Sequence, residues 1–330
     1  MKRRTSLVLA LSSLFLSVAV RCLAALAPCD WSAAERMDAS ISILPLSYEK
    51  PRLMKAHAVR IDLSDRSLAF TSNGRDADWG RPMPDYTNGI IRTKRVTVPD
   101  FFANARAPVE QGGRGLDMLL AFNTAPWGPW IEPFTHRYAD PRGLNIADGV
   151  IVSDNEVKVE PGNGFYGKGV FVVWKNGSAD IVTDISSARR RDVWVAHTGF
   201  CLVLKEGLVV HKPDDVVHPR TVIGLSRDRR WLYVLVLEGR HPEMSLGANL
   251  HDLGQIMLSL GAFDAINMDG GGSTTLVCWD VAGKCQRTVF QQGRRGPRPC
   301  ALVMGIYRRA GVDTPESGCC THGCCRVQDQ

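Results

Sequence analysis

The sequence predicts an α+β fold: a single domain with a mixed, largely antiparallel sheet and few helices. Short apolar runs rich in Val, Ile and Leu recur through the chain and are punctuated by Gly, Asn and Asp clusters. Only two stretches read as helices. No linker rich in Pro, Gly or Ser divides the 330 residues, so one large core is expected.

Residues 1–27 read as a secretory signal: Lys2, Arg3 and Arg4, then an apolar run over residues 7–20, with no acidic residue before Asp30. Interrupted by Arg21, that run is shorter than the ~20 residues a membrane-spanning helix needs. Small residues at Ala24, Ala25 and Ala27 suit cleavage, and Arg21 ahead of Cys22 replaces the small residue that lipid attachment needs. A secreted or periplasmic protein is expected, with no stable membrane insertion after cleavage. Lys2, Arg3, Arg4 and Arg21 leave with the signal, so the formal charge of +6 falls to +2. That residue of charge, with Asp192 directly after Arg189, Arg190 and Arg191, predicts no nucleic-acid partner.

The domain is expected over residues 28–310. HAVRIDL (57–63) reads as a strand, Ser72, Asn73 and Gly74 as a turn, and TVPDFFANA (97–105) as a capped short helix. Strand-like runs then dominate: MLLAF, GVIVS, GVFVVW, DVWVAH, CLVLKEGLVV and WLYVLVLE. Leu250, Leu253, Ile256, Met257 and Leu260 recur at helical spacing and predict an amphipathic helix over 246–260, ended by Gly261. AINMD (265–269) then reads as a strand entering a glycine turn. Residues 311–330 read as a Cys-rich disordered tail.

Of the ten cysteines Cys22 leaves with the signal, and the remaining nine in an exported chain point to disulfides, with at least one unpaired or paired to another chain. Cys278 and Cys285 flank a turn-like segment and form a bridge if their Cα atoms approach within about 7 Å. The tail motif CCTHGCC (319–325) is read as disulfide-forming, its adjacent pairs giving poor geometry for one metal ion. The histidines show neither HxH nor HExxH spacing, so no catalytic zinc and no cofactor are expected.

The chemistry concentrates in NMDGGGSTTLV (267–277). Gly270, Gly271 and Gly272 can take positive φ and approach a ligand closely, while Asp269, Ser273 and Thr274 surround the exposed amides with a carboxylate and hydroxyls. On composition alone, a phosphate- or sugar-binding loop and a bulged hairpin tip are equally good readings. The P-loop ending and the dinucleotide-binding spacing are both absent.

AINMDGGGSTTLV resembles the signature of the phosphodiester glycosidase domain family. The resemblance extends through RTVIGLSRDRRWLYVLVLEGR (220–240), RGPRPCALVMGI (295–306) and GVIVSDN (149–155), covering most of residues 57–307. Where family members carry an Asn-Gly-Gly-Phe-Phe type of segment, this chain has AFNTAPWGPW (121–130), which keeps Asn123 but replaces the glycines with Thr124 and Ala125. Trp127 and Trp130 there supply faces for a sugar ring or close an edge of the core.

The resemblance implies hydrolysis of a sugar-1-phosphodiester, with a carbohydrate phosphodiester as the partner molecule. Such a reaction passes through an oxocarbenium-like state that wants carboxylates, and Asp269 and Glu238 are the catalytic candidates. The phosphate charge suits arginine forks. Arg220, paired with Thr221, and Arg298 match family positions, with Arg240 as a third candidate; Asn123, Gly270, Gly271, Gly272, Ser273 and Thr274 complete the expected substrate-binding set. Asp154 is a further acid or a turn cap. The competing function is a non-catalytic carbohydrate- or phosphate-binding envelope protein that keeps the loop.

Overall fold

A strand that is apolar on both faces must be covered twice, and the run Trp231–Leu237 shows how this chain does it. In the computed structural model, which describes residues 26–311 apart from 75–76, 85, 129–137, 140–150, 154–155, 160–168, 184, 186–188, 190 and 294–295, that strand lies inside an eight-stranded sheet. The sheet runs in the order Glu35–Arg36, Ile41–Tyr48, Met54–Asp62, Trp231–Leu237, Arg220–Leu225, Asp264–Asn267, Cys201–Lys205 and Leu208–Val209. Leu232, Val234 and Val236 point into one core, and Tyr233, Leu235 and Leu237 into another. Side-chain period two, with both faces buried, explains why the sequence reads as an unbroken apolar run.

The first core is shared with a five-stranded sheet ordered Cys285–Gln291, Thr275–Asp280, Asp117–Asn123, Val303–Arg308 and Leu68–Ser72. It is shared also with a second five-stranded sheet ordered Glu156–Val159, Ile151–Ser153, Val193–Thr198, Val170–Trp174 and Ala179–Val182. Leu120, Phe122, Leu276 and Met304 from one, and Phe171 and Val195 from the other, meet Ile223, Val234 and Ile266 of the large sheet. Every pairing within these sheets is antiparallel. The α+β expectation therefore holds, and each fully buried Leu or Ile contributes roughly 1.5–3 kcal/mol.

Two helices close the outer faces. Helix α1 (Val98–Arg106) sets Phe101, Phe102 and Ala105 against Met118, Ala121, Val277 and Val303. Its N-cap is Thr97, whose hydroxyl accepts from the Asp100 amide. Helix α2 (Leu250–Leu260) packs Leu253, Ile256, Met257 and Leu260 on the outer face of the large sheet. It sits directly over Gly224, where an added Cβ would stand 2.5 Å from Met257 Cε. Arg60, on the Met54–Asp62 strand, lies between the Trp31 and Trp231 rings at 4.5 and 4.7 Å, tying residues before the sheet to its surface. Among the described residues no helix is long and apolar enough to cross a membrane.

Helix α2 starts four residues later than the apolar spacing predicts. Asn249 and Asp252 form a capping box, the Asp252 amide donating to Asn249 Oδ1 at 2.8 Å and the Asn249 amide to Asp252 Oδ2 at 3.1 Å. Ahead of it Ala248 pairs with His218 as a bridge and Gly247 takes φ +110°, which an α-helix does not accommodate, so residues 246–248 stay outside the helix. Gly261 ends the helix in the left-handed region, φ +103°. The run CLVLKEGLVV is two strands rather than one, turned at Glu206 and Gly207, φ +52° and +77°.

The expected Cys278–Cys285 bridge is not formed: both are free thiols. The register pairs Cys278 with Arg287 and Cys285 with Asp280, which leaves the two sulfurs offset along the hairpin. The signal up to residue 25, Asp154, Trp130 and the CCTHGCC tail lie outside the described residues.

Asn249 is fully buried and its amide also donates to the Asp214 carbonyl, so the α2 cap holds a loop as well as the helix. Replacing it with alanine is expected to cost about 1–2 kcal/mol of unfolding free energy, read from the urea midpoint at unchanged slope.

Candidate functional site

The site forms where the chain passes from one sheet to another. Strand Asp264–Asn267 runs beside Arg220–Leu225 in the large sheet, and strand Thr275–Asp280 begins in the facing sheet, so the intervening loop must bridge the two. Three backbone groups are fixed on the way. The Met268 amide donates to the Thr221 carbonyl at 2.8 Å, the Asp269 amide to the Thr124 carbonyl at 2.7 Å, and the Gly271 amide to the Pro219 carbonyl at 2.9 Å.

Asn123, at the end of its strand and fully buried, joins all of this. Its Nδ2 donates to the Asp269 carbonyl at 2.7 Å; its Oδ1 accepts from the Thr221 hydroxyl at 2.9 Å and the Thr275 amide at 3.1 Å. Asn123 and Thr221, both expected beside substrate, thus spend these polar groups on holding the loop.

Each glycine of the triplet answers to a different neighbour. A Cβ at Gly270 would stand 2.5 Å from the Pro219 carbonyl oxygen and 3.3 Å from Arg220 Cα. Gly271, at φ +61°, would bring one 3.3 Å from Arg240 Nη2. At Gly272 it would collide with the Arg298 guanidinium. The glycines are the floor on which Arg240 and Arg298 lie, with the Arg220 backbone along the third side.

Asp269 is the carboxylate of this floor. Burial pushes its pKa up to about 6, while the Ser273 hydroxyl, the Gly270 amide, Arg298 and the Trp127 indole favour the ionised form less strongly. Its Oδ1 accepts from the Gly270 amide at 2.9 Å; Oδ2 accepts no hydrogen bond of good geometry among the described residues, so Ser273 and Trp127 act on it at longer range. The hydroxyls of Ser273 and Thr274 are buried without partners of their own among the described residues.

Positive charge gathers around it. Burial, and then repulsion from Arg240, disfavours the Arg220 cation, although Cys201 and Asp214 partly support it. His218 is lowered by burial and by Arg220 and Arg240. On the other side, Arg95 lies with its guanidinium 4.7 Å over the Trp127 ring and is lowered by burial and by Arg298. The buried Cys300 thiol is pushed up to about 12 by burial and by Asp269. Arg95, His218 and Cys300 escaped the sequence reading. Arg95 is drawn in by a pairing of Val96 with Cys300, 2.9 Å in both directions, which has no local signature.

Glu238 directly follows the strand Trp231–Leu237, two residues before Arg240, but it lies near His57, whose cation it favours against a larger effect of burial, and among the described residues no hydrogen bond or ion pair ties its carboxylate to the loop. Trp127 packs against Ala125, Ala301 and Leu302 with one face taken by Arg95, so it closes an edge of the core as well as flanking Asp269. Among the described residues no group of three His, Cys, Asp or Glu side chains is placed to hold a metal ion.

A model of the phosphodiester glycosidase family matches residues 131–307, which include the glycine loop and Arg220, Arg240 and Arg298. The chain belongs to this family. Among solved structures it is similar to the zebrafish N-acetylglucosamine-1-phosphodiester alpha-N-acetylglucosaminidase catalytic domain auto-inhibited by pro-peptide, at 18% identity and a TM-score of 0.52 over 87% of each chain. A hypothetical protein from Synechocystis aligns at 12% identity and a TM-score of 0.47, over 82% of this chain and 62% of that one. No curated protein matches the sequence. The first of these likenesses shows a shared fold, and the phosphodiester glycosidase membership rests on the family match.

If Asn123 is the knot of the loop, Asn123→Ala leaves a buried carbonyl, hydroxyl and amide unpaired. It should lose about 2–3 kcal/mol of stability, with Asn123→Asp intermediate, in chemical denaturation.

Proposed function

We propose that this chain hydrolyses a sugar-1-phosphodiester at the glycine loop, with Asp269 acting at the anomeric carbon. The observation that carries the reading is one buried carboxylate, its pKa raised to about 6, on a glycine floor against which the Arg240 and Arg298 guanidinia lie. A phosphodiester seated on that floor receives guanidinium forks that match two non-bridging oxygens. Arg220 and His218 add positive potential from the Pro219 side. Donors already placed against the loop need little reorganisation as charge develops on the leaving phosphate.

Phosphate departs as a stabilised anion and needs little protonation, so the main demand falls on the oxocarbenium-like carbon. Asp269, ionised, meets that demand as electrostatic partner or nucleophile. Ser273 and Thr274, whose hydroxyls have no partner among the described residues, are assigned to sugar or phosphate oxygens. Glu238 enters as the second carboxylate, activating water. Its distance from the loop is bridged in this reading by substrate and solvent, and Glu238→Gln with unaltered turnover would remove it.

The domain is assigned to residues 28–310 and its destination to the outside of the cytoplasm. The basic start and short apolar run support cleavage between residues 24 and 27. Leu26 packs against α2 in the described structure, which favours a cut that leaves it in place. Mass spectrometry of the mature N-terminus tests this, and an intact Met1 would end it.

Asp269→Asn keeps an acceptor for the Gly270 amide and removes the charge. Turnover should fall at least about a hundredfold, ~2.7 kcal/mol of transition-state stabilisation, with a much smaller change in substrate binding. In the wild type, kcat/KM should rise with pH through about 6 as the carboxyl ionises; an acid role predicts a fall there. Because the folded-state pKa is raised, the folded protein holds this proton more tightly. The associated stability is present near pH 4 and lost as pH rises through about 6. Asp269→Asn should therefore melt no lower than wild type at pH 7. A lower melting temperature with near-normal turnover would make Asp269 a structural residue.

A further inference from the structure

Arg95 is a cation only 8% exposed. Its Nε has no hydrogen-bond partner, and no carboxylate pairs with it among the described residues. The charges nearest to it are Arg298, which repels it, and the Cys300 thiol, while its guanidinium rests 4.7 Å over the Trp127 ring. The chain holds it there firmly. Thr93 donates its hydroxyl to the Ala301 carbonyl at 2.8 Å, and Val96 and Cys300 exchange both backbone hydrogen bonds at 2.9 Å. Buried cations without partners are among the costlier arrangements a fold can keep, so an anion is the expected complement.

The phosphodiester already assigned to the loop does not supply it. It carries one negative charge, and Arg240 and Arg298 lie directly on the glycines that would cradle it. On the Pro219 side Arg220 has Asp214 to support it, whereas among the described residues no carboxylate plays that part for Arg95, which has the Cys300 thiol alone. Asp269 is a single carboxylate whose own ionisation burial opposes. With Asp269 ionised and one diester bound, two negative charges face the three guanidinia of Arg95, Arg240 and Arg298, so one positive charge stays unbalanced.

We propose that the substrate carries a second anionic group next to the phosphodiester that is cleaved, and that Arg95, steadied by Trp127, receives it. This rests on the hydrolytic reading above and narrows its substrate class to polyanionic glycosyl phosphates: a neighbouring phosphate of a poly(glycosyl phosphate), or a carboxylate on the adjoining sugar. Both present a planar or tetrahedral oxyanion to a guanidinium fork. Trp127 supplies a flat face that holds the fork without using its N–H donors.

The test pairs binding with turnover. Inorganic phosphate and pyrophosphate are titrated calorimetrically into wild type, Arg95→Met and Arg95→Lys, and melting is followed without added anion. Wild type should bind pyrophosphate at least about tenfold tighter than phosphate; that ratio should collapse in Arg95→Met and partly return in Arg95→Lys. Without anion, Arg95→Met should melt higher than wild type, because an unpaired buried charge has gone. A merely structural arginine gives the opposite sign. In turnover, glycosyl phosphodiesters whose aglycones end in methyl, carboxylate or phosphate at equal length should rank with the charged ends ahead, and the better of the two names the source.

An unchanged pyrophosphate-to-phosphate ratio in Arg95→Met, or lower melting with that ratio kept, overturns the proposal. Should neither variant fold, the wild-type ratio decides alone, and equal affinity for the two anions rejects the second-anion site. No hydrolysis of any glycosyl phosphodiester, with an Arg95-dependent ratio intact, rejects the hydrolytic reading and leaves the anion site standing.

Discussion

The side-chain amide of Asn123 is the interaction on which the rest depends. Two sheets that share one core still have independent edges, and a loop crossing between them would inherit every small displacement of either. Asn123 removes that freedom by binding Thr221 of one sheet, Thr275 of the other and the Asp269 carbonyl of the loop at once. Each bond is modest in net terms, but leaving any of the buried partners unpaired is costly, so the three act as a unit. The glycine floor is thereby as rigid as the sandwich beneath it.

Rigidity at that point is bought against electrostatics. The fold buries a carboxylate and sets guanidinia about it that repel one another, an arrangement that costs stability and that a bound anion would relieve. The apolar cores carry that load. Three sheets converge on one, and α1 and α2 seal the outer faces of two others, so the strained charges sit on a well-buried platform. A site that is uncomfortable empty and relaxed when occupied is what preorganised binding of a phosphate requires.

Much of this was legible in the sequence, and what was not has a physical reason. Runs such as WLYVLVL announce strands because both faces are covered, and Thr97 and Gly261 mark helix ends through local hydrogen bonds and backbone angle. The triplet 270–272 was readable because close approach leaves glycine as the residue of choice, whereas its arginines were picked out through the resemblance to the family signature. The start of α2 was not, because Leu246 continues the apolar rhythm while the Asn249 cap overrides it. Arg95 and Cys300 were invisible: they meet through a two-residue bridge across some two hundred positions, and spacing carries no trace of such a pairing. The Cys278–Cys285 expectation failed on register, which a turn-like segment does not specify.

The placement of Asn123 has an evolutionary corollary. It follows Phe122 on the stretch Leu120–Asn123, where successive side chains face opposite ways, Phe122 toward the shared core and Ala121 toward α1. Upstream, Leu119 stands as an extra residue where the pairing with Val303–Arg308 shifts register, so the strand already takes up one irregularity there. A single-residue insertion or deletion beyond that shift would present Phe122 to the glycine loop and leave the amide of Asn123 in hydrocarbon. Length changes are therefore disfavoured between Leu120 and Asn123, and diversification of such a protein should appear in this stretch as point substitutions alone.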